Sequence, residues 1–334
     1  MILVTGGAGY IGSHVVRALV EQGLDAVVYD RKPMTQVRLD GEPLLPVPFV
    51  VADLADERAL DQTFEKYPFD AVIHLAGDIV VSESTADPGK YYANNIGGGL
   101  KLLGAMRRHG VMRIVFSSTA ALFGMPRRVP IADDDPVQPI NPYGRTKWMF
   151  EQMLADYDAA YGLRFVSLRY FNASGAHPSG LIGEAHHPET HLIPLVLQVP
   201  LELRLHVDVF GTDYNTPDGT AIRDYIHVCD LADAHVLALK FLRNATESRF
   251  YNLGNGLGHS VRQVIAAAEQ VVGKPIRTME RPRRPGDAER LVASSERIIR
   301  HFGWQPRYAD LHTIVETAWR WHKRIADCGL PIAD

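Results

Sequence analysis

The chain has 334 residues, 46% of them apolar and 22% charged, an ordinary balance for a globular protein of one or two domains that excludes a fibrous or largely disordered chain. A net charge of -4 and a pI near 6.4 argue against nucleic acid or an anionic membrane surface as the main partner and leave small molecules as the expected ligands. Cys229 and Cys328 are the only cysteines, too few for a disulfide framework or a cysteine-based zinc site, so a reducing compartment, the cytoplasm, is expected.

In chain order, residues 2–4, 26–29, 49–51, 71–75, 113–117 and 165–168 are short β-branched runs separated by helix-length amphipathic segments. This pattern predicts a doubly wound parallel sheet of Rossmann type, α/β throughout, with helices on both faces. Residues 1–5 already read as its first strand, leaving no room for a leader, and no apolar run reaches the ~18 residues of a membrane span. Ligands of such sheets sit beyond the strand carboxyl ends, where Gly6, Asp30, Asp53, Ala76 and Thr119 would emerge. After Asn172 the chain turns rich in His, Pro and Gly, the mark of a smaller substrate domain, but residues 230–255 regain a helix-then-strand pattern. The expected division is 1–172 with a return segment near 230–255 for a nucleotide domain, and 173–229 with 256–334 for an interleaved α/β substrate domain.

Thr5-Gly-Gly-Ala-Gly-Tyr-Ile-Gly12 follows a strand and opens a helix. There, backbone amides and the helix N-terminus can face a pyrophosphate, with Gly12 allowing close packing against the sheet. Asp30, ending the second strand, suits both hydroxyls of a ribose and repels a 2'-phosphate, which favours NAD over NADP; Arg31 beside it would soften that preference. Tyr143 and Lys147 are one helical turn apart on one face, downstream of a hydroxyl at Thr119. A phenol that acts as a base near neutrality needs its pKa lowered by roughly three units, and the Lys147 ammonium is expected to supply part of that. Asp53 and Asn94 would either cap helices or touch adenosine. His186, His187 and His191 suggest a metal, but Pro188 disfavours the helix that would set two of them at i and i+4, so no metal is expected. Pro282 and Pro285 stiffen the basic run from Arg281 to Arg284, which then suits either a solvated face or a diphosphate. Trp304, Trp319 and Trp321 most simply serve packing.

With those residues placed, the chain resembles the extended short-chain dehydrogenase/reductases and, within them, the UDP-glucose 4-epimerases. The resemblance runs nearly end to end, through Phe116-Ser-Ser-Thr119, Tyr143 with Lys147, Arg169-Tyr-Phe-Asn172, Gly175-Ala-His-Pro-Ser-Gly180, Arg223-Asp-Tyr-Ile-His227 and Arg284-Pro-Gly-Asp287. It implies that Tyr143 takes the proton of the sugar 4-hydroxyl, that Thr119 hydrogen-bonds the reacting oxygen, and that Lys147 binds the nicotinamide ribose. Hydride passes from C4 to NAD and returns to the other face of a turned 4-keto sugar. It further implies NAD contacts from Gly6, Gly9, Tyr10, Ile11, Gly12, Asp30, Asp53, Leu54, Leu75, Ala76, Gly77, Asn94, Ser117 and Tyr170. The UDP-sugar would be held by Asn172, His191, Leu192, Phe210, Arg223, Tyr225, Arg284, Asp287 and Leu291, together with Thr119 and Tyr143.

Departures qualify this. Ile79 stands where relatives often carry a lysine near the cofactor phosphates, Phe123 replaces a common tyrosine and His191 a common asparagine, and the connection after Asp30 is short. Ala120 and Ala121 follow Thr119 where sister dehydratases and decarboxylases carry acids, which favours plain epimerisation over elimination. Leu291 aligns with a gate beside the sugar, and its intermediate size is expected to admit UDP-N-acetylglucosamine to some degree. Relatives form homodimers through helices equivalent to 90–108 and 143–161, where Leu100, Leu103, Met149, Phe150, Met153 and Leu154 supply a core face and a candidate seam. The rival readings are another nucleotide-sugar epimerase, acting on UDP-glucuronate or a UDP-pentose, and a non-catalytic NAD-binding regulator.

Overall fold

Leu3 and Val4 are wholly buried and Ile2 nearly so, because a strand without a polar face is stable only when covered on both sides. The computed structural model describes residues 1–32, 45–186, 188–284 and 286–328. In it the chain runs β1 (Ile2–Thr5), α1 (Tyr10–Glu21), β2 (Ala26–Asp30), β3 (Phe49–Val51), α2 (Glu57–Lys66), β4 (Ala71–His74), α3 (Val81–Ala86), α4 (Pro88–Tyr91), α5 (Gly99–Arg108), β5 (Arg113–Ser117), α6 (Pro142–Tyr161), β6 (Arg164–Tyr170) and β7 (Asn172–Ser174). It continues through α7 (Leu192–Gln198), β8 (Val207–Phe210), β9 (Ile222–Arg223), β10 (Tyr225–His227), α8 (Val228–Leu242), β11 (Arg249–Leu253), β12 (His259–Ser260), α9 (Val261–Val272), β13 (Thr278–Arg281), β14 (Arg290–Leu291), α10 (Glu296–Phe302) and α11 (Leu311–Asp327).

Seven strands form one sheet in the order β3-β2-β1-β4-β5-β6-β11, every neighbouring pair parallel. The chain therefore winds outward from β1 in one direction and restarts at β4 in the other, which opens a crevice at the carboxyl ends of β1 and β4. Thr5 sits in register with both Tyr29 and His74, so Gly6, Asp30 and Leu75 leave the sheet side by side. One face is covered by α1 and α8 over Val15, Leu19, Leu231 and Leu239. The other is covered by α2, α5 and α6 over Leu60, Leu102, Phe150 and Leu154. A separate core of Ile193, Val196, Val264, Ile314 and Val315 joins α7, α9 and α11 beneath the short β8/β13 pair. Among the described residues, no helix is long and apolar enough to cross a membrane.

The strands predicted from pattern lie where expected, β3 and β5 with the same bounds, and residues 250–253 fall in β11 at the edge of the main sheet. The segment 90–108 is not one regular helix. A π-helical stretch, Tyr92–Gly98, separates α4 from α5, where the sequence Asn94-Asn95 and Gly97-Gly98 has weak helix propensity and Asn95 turns its side chain onto the backbone of Asp78.

Candidate active site

The glycine loop joins β1 to α1 in a conformation that only glycine fits at two positions. Gly6 has φ +72°, and a Cβ there would lie 2.6 Å from the Ala76 nitrogen; a Cβ on Gly12 would lie 2.0 Å from the Gly6 carbonyl oxygen. Gly12 thus closes the loop onto itself, rather than onto the sheet as expected. The turn brings the Ala8 N–H to Asp30 Oδ2 at 3.1 Å, so a carboxylate stands against the loop at the N-terminus of α1. This cradle fits a dinucleotide: Gly6 and Gly12 leave no space for a side chain, and the carboxylate is an acceptor pair beside the loop.

Arg31 does not remain beside Asp30. It donates to Asp78 Oδ1 at 3.0 Å, and the buried Asp78 carboxylate also accepts from Asn94. Asp78, which pattern reading passed over, follows Leu75, Ala76 and Gly77 at the end of β4. Asp53 is exposed and accepts from Ala55 N–H at 2.8 Å, capping its own turn, with Leu54 packed against Gly98. Tyr10 is buried and donates its hydroxyl to the Gly175 carbonyl at 2.6 Å, tying α1 to the segment after β7, while Ile11 packs on the core below.

α6 starts sharply because Asn141 accepts from Gly144 N–H at 2.8 Å and Pro142 occupies the first turn. Tyr143, Lys147 and Glu151 therefore line one buried face at successive turns, 8%, 4% and 0% exposed. Thr119, at the mouth of β5, caps the following turn through Ala121 N–H at 3.1 Å, and its hydroxyl is the neighbour that pulls the Tyr143 phenol down. Lys147 donates to the Ser117 carbonyl at 2.9 Å, and the Ser117 hydroxyl meets His235 Nε2 at 2.8 Å. Behind them Glu151 takes Arg169 in a two-pronged buried pair, at 2.7 and 3.0 Å, and accepts from Ser167.

The electrostatics differ from the sequence expectation. Burial raises the Tyr143 phenol above its usual value, with only the Thr119 hydrogen bond opposing, because the Lys147 ammonium is aimed at a carbonyl. Burial also lowers Lys147 to about 8, against the pull of Glu151.

The other predicted groups fall into two clusters. Arg223 pairs with Asp287, and Leu291 lies in register with Arg223 on the neighbouring strand. Arg284 stacks 3.9 Å over the Phe210 ring and has no carboxylate partner among the described residues, whereas Arg281 and Arg283 are paired with Asp208 and Asp213. Tyr225 is packed into the core of α7, α9 and α11 with 4% exposure, and Asn172 and Leu192 are half-buried at the starts of β7 and α7. Pro285 and His187 lie outside the described residues. Pro188 lies in a loop and not a helix, and that loop gathers Glu184, His186, Glu189 and His191, with their donor atoms all within 4.8 Å of one another.

A glycine cradle at the switch point of a parallel sheet, with a hydroxyl, a phenol and an ammonium at its edge, defines a nucleotide-dependent oxidoreductase-type site. The chain belongs to the NAD dependent epimerase/dehydratase family, whose profile matches residues 2–254. Among its members it is 51% identical over 322 residues to the UDP-glucose 4-epimerase of Halalkalibacterium halodurans, covering 96% of this chain and 95% of that one. A solved UDP-glucose 4-epimerase superposes with a TM-score of 0.92 at 48% identity, covering 97% of both chains. The Bifidobacterium longum enzyme in complex with NAD+ and UDP does so with a TM-score of 0.90 at 38% identity, covering 97% of this chain and 98% of that one.

Proposed function

We infer that this chain is a UDP-glucose 4-epimerase, interconverting UDP-glucose and UDP-galactose with tightly held NAD. The observation that carries the reading is the pair Tyr143 and Lys147 on one buried face of α6 with the Thr119 hydroxyl buried at the mouth of β5, Ala120 and Ala121 following it. A hydroxyl, a phenol and an ammonium can move one proton on and off a sugar oxygen, but without a neighbouring carboxylic acid they offer no second acid/base pair for elimination.

NAD, when bound, supplies a reversible hydride acceptor at C4 of the sugar and, in its oxidised form, a positive charge that favours an ionised phenol. Tyr143 takes the 4-hydroxyl proton and later returns it to the same oxygen, once the 4-keto sugar has turned to present its other face. Thr119 holds both oxygens within a hydrogen bond, and Lys147 orients the nicotinamide ribose. Gly6, Gly9 and Gly12 cradle the pyrophosphate, and Asp30 accepts from the adenosine ribose. Arg284, free of carboxylates among the described residues and flat on Phe210, suits the diphosphate and the uracil together, and Arg223 with Asp287 suits phosphate and ribose. In this assignment residues 1–172 with 230–255 serve the cofactor, and 173–229 with 256–334 serve the UDP-sugar. A cytoplasmic homodimer seated on α5 and α6 completes the reading.

The test is incubation of the purified chain with UDP-glucose and separation of the products. UDP-galactose is expected without added cofactor; a 4-keto-6-deoxy sugar as the accumulating product overturns the assignment.

A further inference from the structure

Between the cofactor loop and α7 lies a group of four side chains, three of which have no part in the epimerase reaction; the fourth, His191, stands where the resemblance also puts a UDP-sugar contact. Glu184 is 3% exposed and the Glu189 side chain 5%, so two carboxylates are buried together. Two buried negative charges demand positive charge of matching size close by. The groups facing them are the imidazoles of His186 and His191, both presenting Nδ1. His186 Nδ1 is 3.0 Å from Glu184 Oε1, His191 Nδ1 is 3.6 Å from Glu189 Oε1, and His191 also meets Glu184.

The spacing is that of a coordination shell. Nitrogen and oxygen ligands about 2.1 Å from one tetrahedral ion lie ~3.4 Å from each other; the separations of 3.0 and 3.6 Å straddle that value, while His191 and Glu184, in direct hydrogen-bond contact, would have to part as an ion enters. The outer shell is in place as well. Glu189 Oε1 is fixed by the N–H groups of Thr190 and His191 at 2.7 and 2.8 Å, and Trp321 Nε1 anchors the loop through the Glu184 backbone carbonyl at 2.8 Å. The two imidazoles keep 32% and 40% of their surface in solvent, which leaves an entry path.

We propose that Glu184, His186, Glu189 and His191 form a structural site for a first-row divalent transition metal of the zinc class. Two nitrogens and two oxygens suit Zn2+ and its spectroscopic substitute Co2+, and four protein ligands leave no open position for catalysis. The ion fastens the loop that ends at His191, the residue preceding α7, against the start of α1, where the Tyr10 ring stands edge-on to His186 at 6.3 Å. It thereby holds together the element that begins the cofactor cradle and the element that begins the second core.

The experiment uses the untagged full chain after chelator treatment, titrated with CoCl2 and followed by visible absorption, with ZnCl2 as competitor. About one equivalent of Co2+ should develop d–d bands that Zn2+ abolishes, and Zn2+ should raise the melting temperature. His186→Gln should weaken binding by at least the ~10–100-fold that losing an outer partner costs and remove the Zn2+-dependent rise; Glu189→Gln, checked for folding by circular dichroism, should do the same. Absence of stoichiometric bands, or equal binding by wild type and both variants, overturns the proposal and leaves a hydrogen-bonded histidine–glutamate network. Because epimerase turnover is measured separately, a negative result here does not touch the functional assignment.

Discussion

Arg31, the neighbour of Asp30 in sequence, turns its guanidinium onto Asp78 Oδ1 at 3.0 Å. The cation that would have welcomed a 2'-phosphate is thereby matched to a carboxylate, while Asp30 stays against the glycine loop through Ala8 N–H. The cradle should bind NAD at least about tenfold tighter than NADP, a difference of ~1.4 kcal/mol or more. Asp30→Asn should narrow that ratio by weakening NAD and relieving repulsion of NADP. Fluorescence titrations of the cofactor-stripped chain check it, and equal affinities in the wild type would show that Arg31 is not held by Asp78 in solution.

Thr119 supplies the one interaction that pulls the Tyr143 phenol down against burial. Removing it raises that pKa further, so the ascending, low-pH limb of the kcat/KM profile, where the phenol ionises to its active form, should move to higher pH in Thr119→Val. Tyr143→Phe should lower kcat by roughly 10²–10⁴ with NAD binding unchanged. A Thr119→Val profile that overlays the wild type would separate Thr119 from the phenol's ionisation.

Leu291 stands in register with Arg223, and in the proposed UDP-sugar site its side chain would be the gate between two substrate ranges. Leu291 is half-buried, and leucine is smaller than the tyrosine that would close the gate. UDP-N-acetylglucosamine should therefore be turned over measurably, and Leu291→Tyr should depress that activity tenfold or more relative to UDP-glucose, the ~1–3 kcal/mol scale of pocket-size discrimination. Background-level turnover of the N-acetyl sugar by the wild type removes the argument.

What could be read from the sequence was local. Strands β3 and β5 were bounded correctly because uninterrupted β-branched runs have one stable environment, and Tyr143 and Lys147 were found together because i,i+4 spacing fixes their face. What escaped depended on long-range partners. Lys147 is aimed at Ser117, 30 residues away, so its effect on Tyr143 was misjudged. Arg31 finds Asp78 across 47 residues. Glu151 could have been noticed as the next residue on the Tyr143–Lys147 face, but its need for Arg169 appears only when α6 is laid on β6. Glu184 and Glu189 were missed because ligand spacing was sought on a helix, whereas a loop carrying Pro188 folds back on itself.

The candidate seam divides along the same helices. Leu103, Phe150 and Leu154 face the sheet, whereas Leu100, Trp148 and Met149 are 49%, 37% and 41% exposed. Only the outward set can serve a second copy of the chain. Leu100→Glu with Met149→Glu should convert a dimer to a monomer in light scattering at micromolar concentration while leaving the melting temperature within a few degrees, since neither side chain is in the core. A wild-type mass equal to one chain would refute the seam.

Acid should unfold the protein earlier than its carboxylates alone require. Burial lowers His14, His74 and His227 to about 3 and His235 to about 4, each neutral in the folded state and near 6.5 once unfolded. Below pH 6.5 the unfolded chain binds the extra protons, so stability is full above that pH and falls as pH drops toward the folded values. By pH 5.5 each histidine costs about 1.4 kcal/mol relative to neutral pH. The urea midpoint should therefore fall steeply between pH 7.5 and 5.5. His74→Asn, which keeps a partner for the Thr5 hydroxyl at 2.7 Å, should be less pH-sensitive than the wild type even if less stable at pH 7.5. An unchanged midpoint across that interval would mean that these imidazoles protonate without unfolding.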